Sequence, residues 1–273
     1  MNSDYAYASR NRAKKRQIFI LIILFAFLIA INYNFLDSRL EGFLIGNDIE
    51  YAKVTRVVDG DTIKINGNET VRFLGINTPE RGELYYKEAK EFLEKLILNK
   101  TVKIERGKED RDMYERLLRY VFLGDENINL KLVEEGLANP YIYDADKYTK
   151  LLRDAWINCI EENKNLCEKS KDECADCIEL KELDVKSQAL ALYNSCGFSC
   201  DLNGWTIKDE GRKKFIFKTF ILNGNEEVSV IVGNETDTQD ILFWKRSDYV
   251  WTSGGDTLFL RDGEGKLVLW KNY

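Results

Sequence analysis

The 273-residue sequence contains no histidine. Histidine is the general base of Ser-His and Cys-His triads and supplies two metal ligands in HExxH zinc hydrolases. Both classes are therefore excluded, together with enzymes that use a histidine nucleophile. A general base in this chain must be a carboxylate, a lysine or a tyrosine.

Proline is also scarce, with two residues, which argues against long disordered linkers. A hydrophobic content of 44% is enough to build a buried core, and the length allows one large or two ordinary domains. The formal charge is −6. Because nucleic-acid-binding proteins are usually basic, this balance argues against tight nonspecific binding to nucleic acid, but it leaves room for a local phosphate site.

The N-terminal region has the charge pattern of a membrane anchor. Residues 18–36 carry no charge and are mostly apolar, and at this length a helix spans roughly 30 Å, one hydrocarbon core. The basic residues before it predict a cytoplasmic tail at 1–17, a transmembrane helix at 18–36 and a tether at 37–49, with the rest outside the cell. The alternative is a cleaved signal peptide, although no small-residue cleavage motif follows the apolar run.

The stretch 57–81 organises the rest of the chain. Two short runs of alternating apolar residues, 62–65 and 71–76, are joined by a turn at 66–68 that contains Asn-Gly. This pattern predicts a β-hairpin.

Charged and polar residues lie at the ends of these strands. Asp59 and Asp61 flank Gly60, Arg72 lies early in the next strand, and Glu80 follows Asn-Thr-Pro. Since function is often located at strand ends and in loops, we expect these groups to converge at one end of a small sheet. Such groups are the components of a site that cleaves phosphodiester bonds with the help of a metal ion.

Three segments, DGDT at 59–62, VRFLGINTPE at 71–80 and YERLLRYV at 114–121, resemble the micrococcal nuclease (thermonuclease) family in order and spacing. The resemblance implies a five-stranded OB barrel with three helices over residues 50–168. It also implies cleavage of DNA and RNA with calcium, leaving 3′-phosphates.

The resemblance implies a Ca²⁺ site with Asp61 and Asn77 as ligands, the Thr78 carbonyl beside them, and Asp59 acting through water. Calcium prefers such oxygen ligands. The family usually has aspartate where Asn77 stands, so we expect weaker calcium binding.

The resemblance also implies that Arg72 and Arg116 bind phosphate and that Glu80 orients or deprotonates the attacking water. Guanidinium groups match phosphate oxygens geometrically. The family usually has glycine where Glu115 stands, which places a carboxylate beside a phosphate-binding arginine. Three aromatic residues are implied to border the nucleotide pocket: Tyr114, Tyr141 and Tyr143.

A second domain is predicted at 177–273, after a cysteine-rich linker at 169–176. Short strand-like runs recur there with turns every eight to twelve residues, which favours a β-sandwich. Phrases such as CDLNGWTIKDE and VWTSGGDTLFLRDGEGKLV resemble the lamin tail domain, an immunoglobulin-like sandwich. No catalytic constellation is evident in it. We expect it to hold the first domain near a surface or an unknown partner.

The six cysteines allow two interpretations. The spacings C-x2-C and C-x3-C approach a four-cysteine zinc site, whereas an even count in an extracellular chain favours disulfides. We expect disulfides, with the pairing left open, among Cys159, Cys167, Cys174, Cys177, Cys196 and Cys200.

Taken together, these patterns predict a membrane-anchored, extracytoplasmic, calcium-dependent nuclease. The alternative is a degenerate OB module that binds nucleic acid or protein at the cell surface without cleaving it. The joint presence of Asp61, Arg72, Glu80 and Arg116 favours the enzyme, because a binding module does not need the glutamate.

Overall fold

The structure, a computed structural model, describes residues 49–246 and 248–273. The predicted cytoplasmic tail, the anchor at 18–36 and nearly all of the tether lie outside these residues. Within the described ranges, no helix has both the length and the apolar character needed to cross a bilayer.

A closed five-stranded barrel forms the first domain. Its strands follow one another in the order β3-β2-β1-β5-β6, and a parallel pairing of β3 with β6 closes it. Two short strands, β4 and β8, pair beside the barrel. The predicted five-stranded barrel is thereby confirmed. The strands of this domain are β1 (Ile49–Asp59), β2 (Thr62–Ile65), β3 (Glu69–Phe73), β4 (Ile76–Asn77), β5 (Thr101–Arg111), β6 (Leu117–Leu123), β7 (Glu126–Asn127) and β8 (Asn139–Pro140).

The described residues of this domain contain three α-helices, α1 (Tyr86–Ile97), α2 (Ile128–Glu134) and α3 (Thr149–Glu162). Helix α1 buries Ala89, Leu93 and Ile97 at a four-residue spacing, which places them on one face over the barrel core.

The sequence pattern predicts helices at 83–98 and at about 146–162, and in the structure the first and third helices begin three residues later than these bounds. Tyr85 has a φ of 66°, in the left-handed region, so the right-handed helix α1 cannot start before Tyr86. Before α3, the Asp146 carboxylate accepts hydrogen bonds from the amides of Tyr148 and Thr149. Asp146 therefore caps free backbone N–H groups at the start of the helix and is not itself part of the helix.

The second domain, called the sandwich domain, has two four-stranded sheets that share one buried core. Their orders are β16-β15-β10-β9 and β13-β12-β17-β18, and a separate pair joins β11 to β14. The sequence pattern predicts seven strands here, near 177–185, 189–194, 204–208, 214–217, 227–232, 258–261 and 267–270, and it misses β11, β14 and β16. The strands are β9 (Ile178–Asp184), β10 (Ala189–Asn194), β11 (Cys200–Asp201), β12 (Thr206–Lys208), β13 (Lys214–Ile216), β14 (Ile221–Leu222), β15 (Glu227–Gly233), β16 (Ile241–Lys245), β17 (Thr257–Arg261) and β18 (Leu267–Asn272).

Strand β17 is buried on both faces. Leu258 and Leu260 belong to the sandwich core, whereas Phe259 between them belongs to the barrel core. On the barrel side, the Trp156 ring of α3 meets Phe259 edge-on with a centroid distance of 5.6 Å, and Trp270 of β18 at 6.5 Å. The barrel therefore packs against the outer face of the second sheet.

A buried arginine reinforces this packing. The Arg261 guanidinium donates from Nη1 to the carbonyl oxygen of Leu166 at 2.6 Å. Burial lowers the pKa of Arg261 to about 10. The group still carries its charge at neutral pH and joins the last turn of the barrel domain to the sandwich domain.

The six cysteines form three disulfides, and none of those in the described residues is free. Cys159–Cys167 ties α3 to the turn that follows it. The other two bridges close the segment ahead of β11, Cys174–Cys200 and Cys177–Cys196.

Glu83 links the two domains through charge. Its carboxylate lies 3.0 Å from the Lys208 ammonium and 2.9 Å from that of Lys214, both from the sandwich domain. Burial alone would raise the pKa of Glu83, but Lys208, the Glu80 amide and Lys214 outweigh it and lower the pKa to about 2.

Replacement of Glu83 by glutamine should therefore lower the stability of the protein in a pH-dependent way. Because the folded-state pKa lies below the ordinary 4.5, the stabilisation is present above pH 4.5 and is lost as the pH falls towards 2. At pH 7 we expect Glu83→Gln to cost about 1 kcal/mol, or about 2–4 °C in melting temperature. The difference from the parent should shrink below pH 4.5.

Thermal unfolding followed by circular dichroism across this pH range measures the effect. Glu91→Gln, on the exposed side of α1, makes the same chemical change as a control. Equal pH profiles for the parent and Glu83→Gln would contradict the assignment.

Candidate functional site

The turn after β1 sets the position of the first acidic residues. A Cβ atom on Gly60 would lie 2.8 Å from the Cβ of Ala89 and 2.9 Å from that of Thr78. Because real Cβ atoms do not approach so closely, only glycine allows the turn to pack here. This packing brings Asp61 against Thr78.

Asp61 is buried, and its Oδ2 is held by three donors. The Thr78 amide and hydroxyl donate to it at 2.8 and 2.9 Å, and Arg72 Nη1 lies at 2.9 Å. Its other oxygen accepts one hydrogen bond, from the Thr62 hydroxyl at 3.1 Å. Oδ1 therefore has more remaining acceptor capacity than Oδ2.

Asn77 links this cluster to the sandwich domain. Its Oδ1 accepts from Arg72 Nη2 at 2.9 Å, while its Nδ2 donates to the carbonyl oxygens of Gly211 at 2.8 Å and Glu210 at 3.3 Å. An aspartate carboxylate could accept from Arg72 but could not donate to the two carbonyls. This is a physical reason for asparagine here.

The sequence-predicted metal ligands lie together. Asp59 accepts a hydrogen bond from the Asp61 amide at 3.2 Å, and burial followed by the charge of Asp61 raises the pKa of Asp59. Asn77 and Thr78 follow directly after one another. Among the described residues no group of three or more His, Cys, Asp or Glu could hold a metal. The candidate donors here are the two aspartate carboxylates, the Asn77 amide oxygen and the Thr78 carbonyl. This all-oxygen donor set fits calcium.

Glu80 lies at the edge of the cluster, and its side chain is 45% exposed. Its carboxylate forms an ion pair with Arg212 of the sandwich domain, with Oε1 and Nε 2.7 Å apart. Its amide donates to Glu83 Oε2 at 3.0 Å, which fixes the backbone. The candidate base is therefore half-exposed and already next to a guanidinium.

Arg116 is not part of the Asp61 cluster. It lies directly before β6, two residues ahead of Leu118, which pairs with Arg72 in the closing ladder. Its guanidinium binds Asp112 at 2.6 and 2.7 Å and lies over the Tyr114 ring, 5.3 Å from its centroid.

The three predicted aromatic residues differ in exposure. Tyr114 and Tyr143 are 66% and 81% exposed, so both rings are available for stacking. Tyr141 is half-buried, and its amide donates to the Gly75 carbonyl at 2.9 Å. Burial, and then the charge of Glu210, raise the pKa of Tyr141.

The turn at residues 209–213, between β12 and β13, is the part of the site that sequence reasoning missed. It supplies Arg212 and the two carbonyls that bind Asn77. Burial and the nearby Asp256 carboxylate raise the pKa of Glu210 to about 7, and mainly burial raises that of Asp209 to about 6. The departure from aspartate at Asn77 was the one sequence signal of this contact.

Comparisons with known proteins agree with both domains. The family model "Staphylococcal nuclease homologue" matches residues 70–169, and "Lamin Tail Domain" matches residues 175–273. Thermonuclease of Staphylococcus intermedius is 40% identical over 126 residues, which cover 42% of this chain and 75% of the relative.

Two further relatives extend the comparison. Thermonuclease of Staphylococcus hyicus is 34% identical over 160 residues, which cover 54% of this chain and 94% of the relative. Endonuclease YncB of Bacillus subtilis is 36% identical over 154 residues, which cover 52% of this chain and 61% of the relative. Through its barrel domain, the chain belongs to the staphylococcal nuclease family, and a lamin tail domain follows that barrel.

Proposed function

We propose that the protein is a calcium-dependent nuclease that hydrolyses phosphodiester bonds in DNA or RNA. The observation that carries this proposal is the buried cluster of Asp61, Arg72, Asn77 and Thr78, with Glu80 at its edge. In this cluster, a cation site with only oxygen donors lies next to the Arg72 guanidinium and the half-exposed Glu80 carboxylate. The similarity to thermonucleases supports the same chemistry.

Each residue has a role that follows from its surroundings. Asp61 and Asn77 would hold the calcium ion, with the Thr78 carbonyl and Asp59 nearby. When bound, this ion would neutralise part of the charge on the phosphoryl oxygens. Arg72, fixed by Asp61 and Asn77, presents a preorganised cation to the phosphate.

Glu80 is the general base in this proposal. It accepts a proton from a water molecule whose oxygen forms a bond to phosphorus. The bond to the 5′ oxygen breaks, and this oxygen keeps the electron pair and takes a proton from solvent. A base must be reachable by water, and Glu80 is the member of the site with a half-exposed carboxylate. Arg116, with Tyr114 beside it, would bind a neighbouring phosphate once it leaves Asp112.

One observation favours the alternative, a non-cleaving module that binds nucleic acid or protein. The sandwich domain already contacts Asn77 and Glu80, the candidate ligand and base. The assay below separates the two functions.

We also propose that residues 18–36 anchor the chain in the membrane and that the two domains after this segment act outside the cell. The charge step across this apolar segment supports the orientation. Three disulfides in the described residues support an oxidising compartment.

The purified protein should cleave plasmid and single-stranded DNA with calcium and not with a chelator. Glu80→Gln should reduce turnover by about 10²–10⁴-fold, the usual contribution of a general base, and leave substrate binding nearly intact. Asp61→Asn should lose both calcium binding and activity. Glu91→Gln on α1 is the matched control, expected to cleave at the parent rate.

Gel assays and calorimetric calcium titration provide the measurements. A parent protein that binds DNA without cutting it would support the binding module instead. Cleavage by Glu80→Gln at the parent rate would refute the base assignment.

Asn77→Asp should change calcium affinity and stability in opposite directions. Calcium affinity depends on the charge of the ligands, so the variant should bind more tightly than the parent, for which we expect about 10⁻⁴–10⁻³ M. Without calcium it should be less stable by about 1–3 kcal/mol, because the Glu210 and Gly211 carbonyls lose their donor.

Calcium titration and thermal unfolding in a chelator test both effects. Asn68→Asp makes the same change in the exposed turn between β2 and β3 and serves as the control. An unchanged calcium affinity in Asn77→Asp would mean that Asn77 is not a ligand.

Protease added to intact cells should digest residues 49–273. This result follows from the proposed orientation, with the tail at 1–17 in the cytoplasm. Immunoblotting before and after treatment measures it, and lysed cells provide the control for protease activity. Protection in intact cells with digestion after lysis would overturn the proposed location.

A further inference from the structure

Three arginines are candidates for binding phosphate, and they differ in accessibility. The side chains of Arg72 and Arg116 are 8% and 23% exposed, whereas that of Arg212 is 57% exposed. Arg72 is committed to Asp61 and Asn77, and Arg116 to Asp112. Arg212 is therefore the most accessible guanidinium of the three, and it comes from the sandwich domain.

The backbone that carries Arg212 is firmly held. Asn77 donates to the two carbonyls immediately before Arg212, and the Glu210 amide donates to Asp256 Oδ1 at 3.2 Å. The Lys213 amide donates to Asp209 Oδ1 at 2.8 Å. The backbone of the turn at 209–213 is thus held in place beside the site, and the Arg212 side chain extends from it into solvent.

The present partner of Arg212 is exchangeable. Glu80 is 45% exposed, and ion pairs between such exposed groups are weak because water and salt screen them. A phosphodiester offers a guanidinium several oxygens in a geometry that suits its planar donors. Since Glu80 is next to the candidate cation site, a phosphate bound there would also lie within reach of Arg212.

We propose that Arg212 binds a backbone phosphate of the nucleic acid beside the scissile bond. The sandwich domain thereby completes the substrate site of the barrel domain. Arg212 acts as a substrate-binding residue: its move from Glu80 to the phosphate holds the strand in the site and leaves the Glu80 carboxylate free to take the proton from water. This inference rests on the proposed nuclease function.

The test compares the full chain with Arg212→Ala and Arg212→Lys. KM and kcat are measured with calcium on single-stranded DNA at several salt concentrations. Binding of a short fluorescent single-stranded oligonucleotide is measured by anisotropy in a chelator, where no turnover is needed. Lys218→Ala removes the same charge from an exposed position of the sandwich domain for which the described residues provide no ion pair.

For Arg212→Ala we expect KM and the anisotropy Kd to rise about two- to fivefold, the range that corresponds to one exposed ion pair. The salt slope of log Kd should fall by about 1, because one phosphate contact is lost. The kcat should stay within about twofold of the parent, as for a group that binds ground state and transition state alike. Arg212→Lys should recover part of the affinity, and Lys218→Ala should match the parent.

Two results would overturn the inference. Parent values of Kd and salt slope in Arg212→Ala would show that Arg212 does not contact phosphate. A higher kcat with unchanged KM would show that Arg212 only restrains Glu80. Either result in a protein that cleaves DNA leaves the proposed function standing, whereas absence of cleavage by the parent refutes that function separately.

Discussion

The structure depends on a strand that serves two cores. In β17, Leu258 and Leu260 enter the sandwich core while Phe259, between them, enters the barrel core beside Trp156. A strand buried on both faces needs apolar residues at successive positions, and the sequence TLFLR provides them. Because both domains bury surface on the same strand, the turn at 209–213 is held in a defined position over the barrel.

The barrel was predictable because local patterns determine it. Alternating residues such as Ile63 and Val71 are fully buried, and the four-residue spacing in α1 faces the core. The same alternation located most strands of the sandwich domain. It missed β16, which runs parallel to β15 and follows a loop without a hairpin signal.

The candidate site was predictable only on its barrel side. Asp61, Arg72, Asn77 and Thr78 lie close in sequence, so their motif indicates their convergence. The contact between Asn77 and Glu210 joins residues 133 positions apart, and no local pattern encodes it. The charged run around Arg212 is typical of any exposed turn, so its placement follows only from the packing of β17 against the barrel.

The two hydrogen bonds that Asn77 donates have a consequence for recombination between genes. A barrel with aspartate at this position, fused to this sandwich domain, would set a carboxylate against the Glu210 and Gly211 carbonyls. Repulsion between these oxygens would weaken the contact between the two modules. A chimaera that brings in such a barrel is therefore expected to be less stable than one that keeps asparagine, so a single amide group influences which modules combine well at this junction.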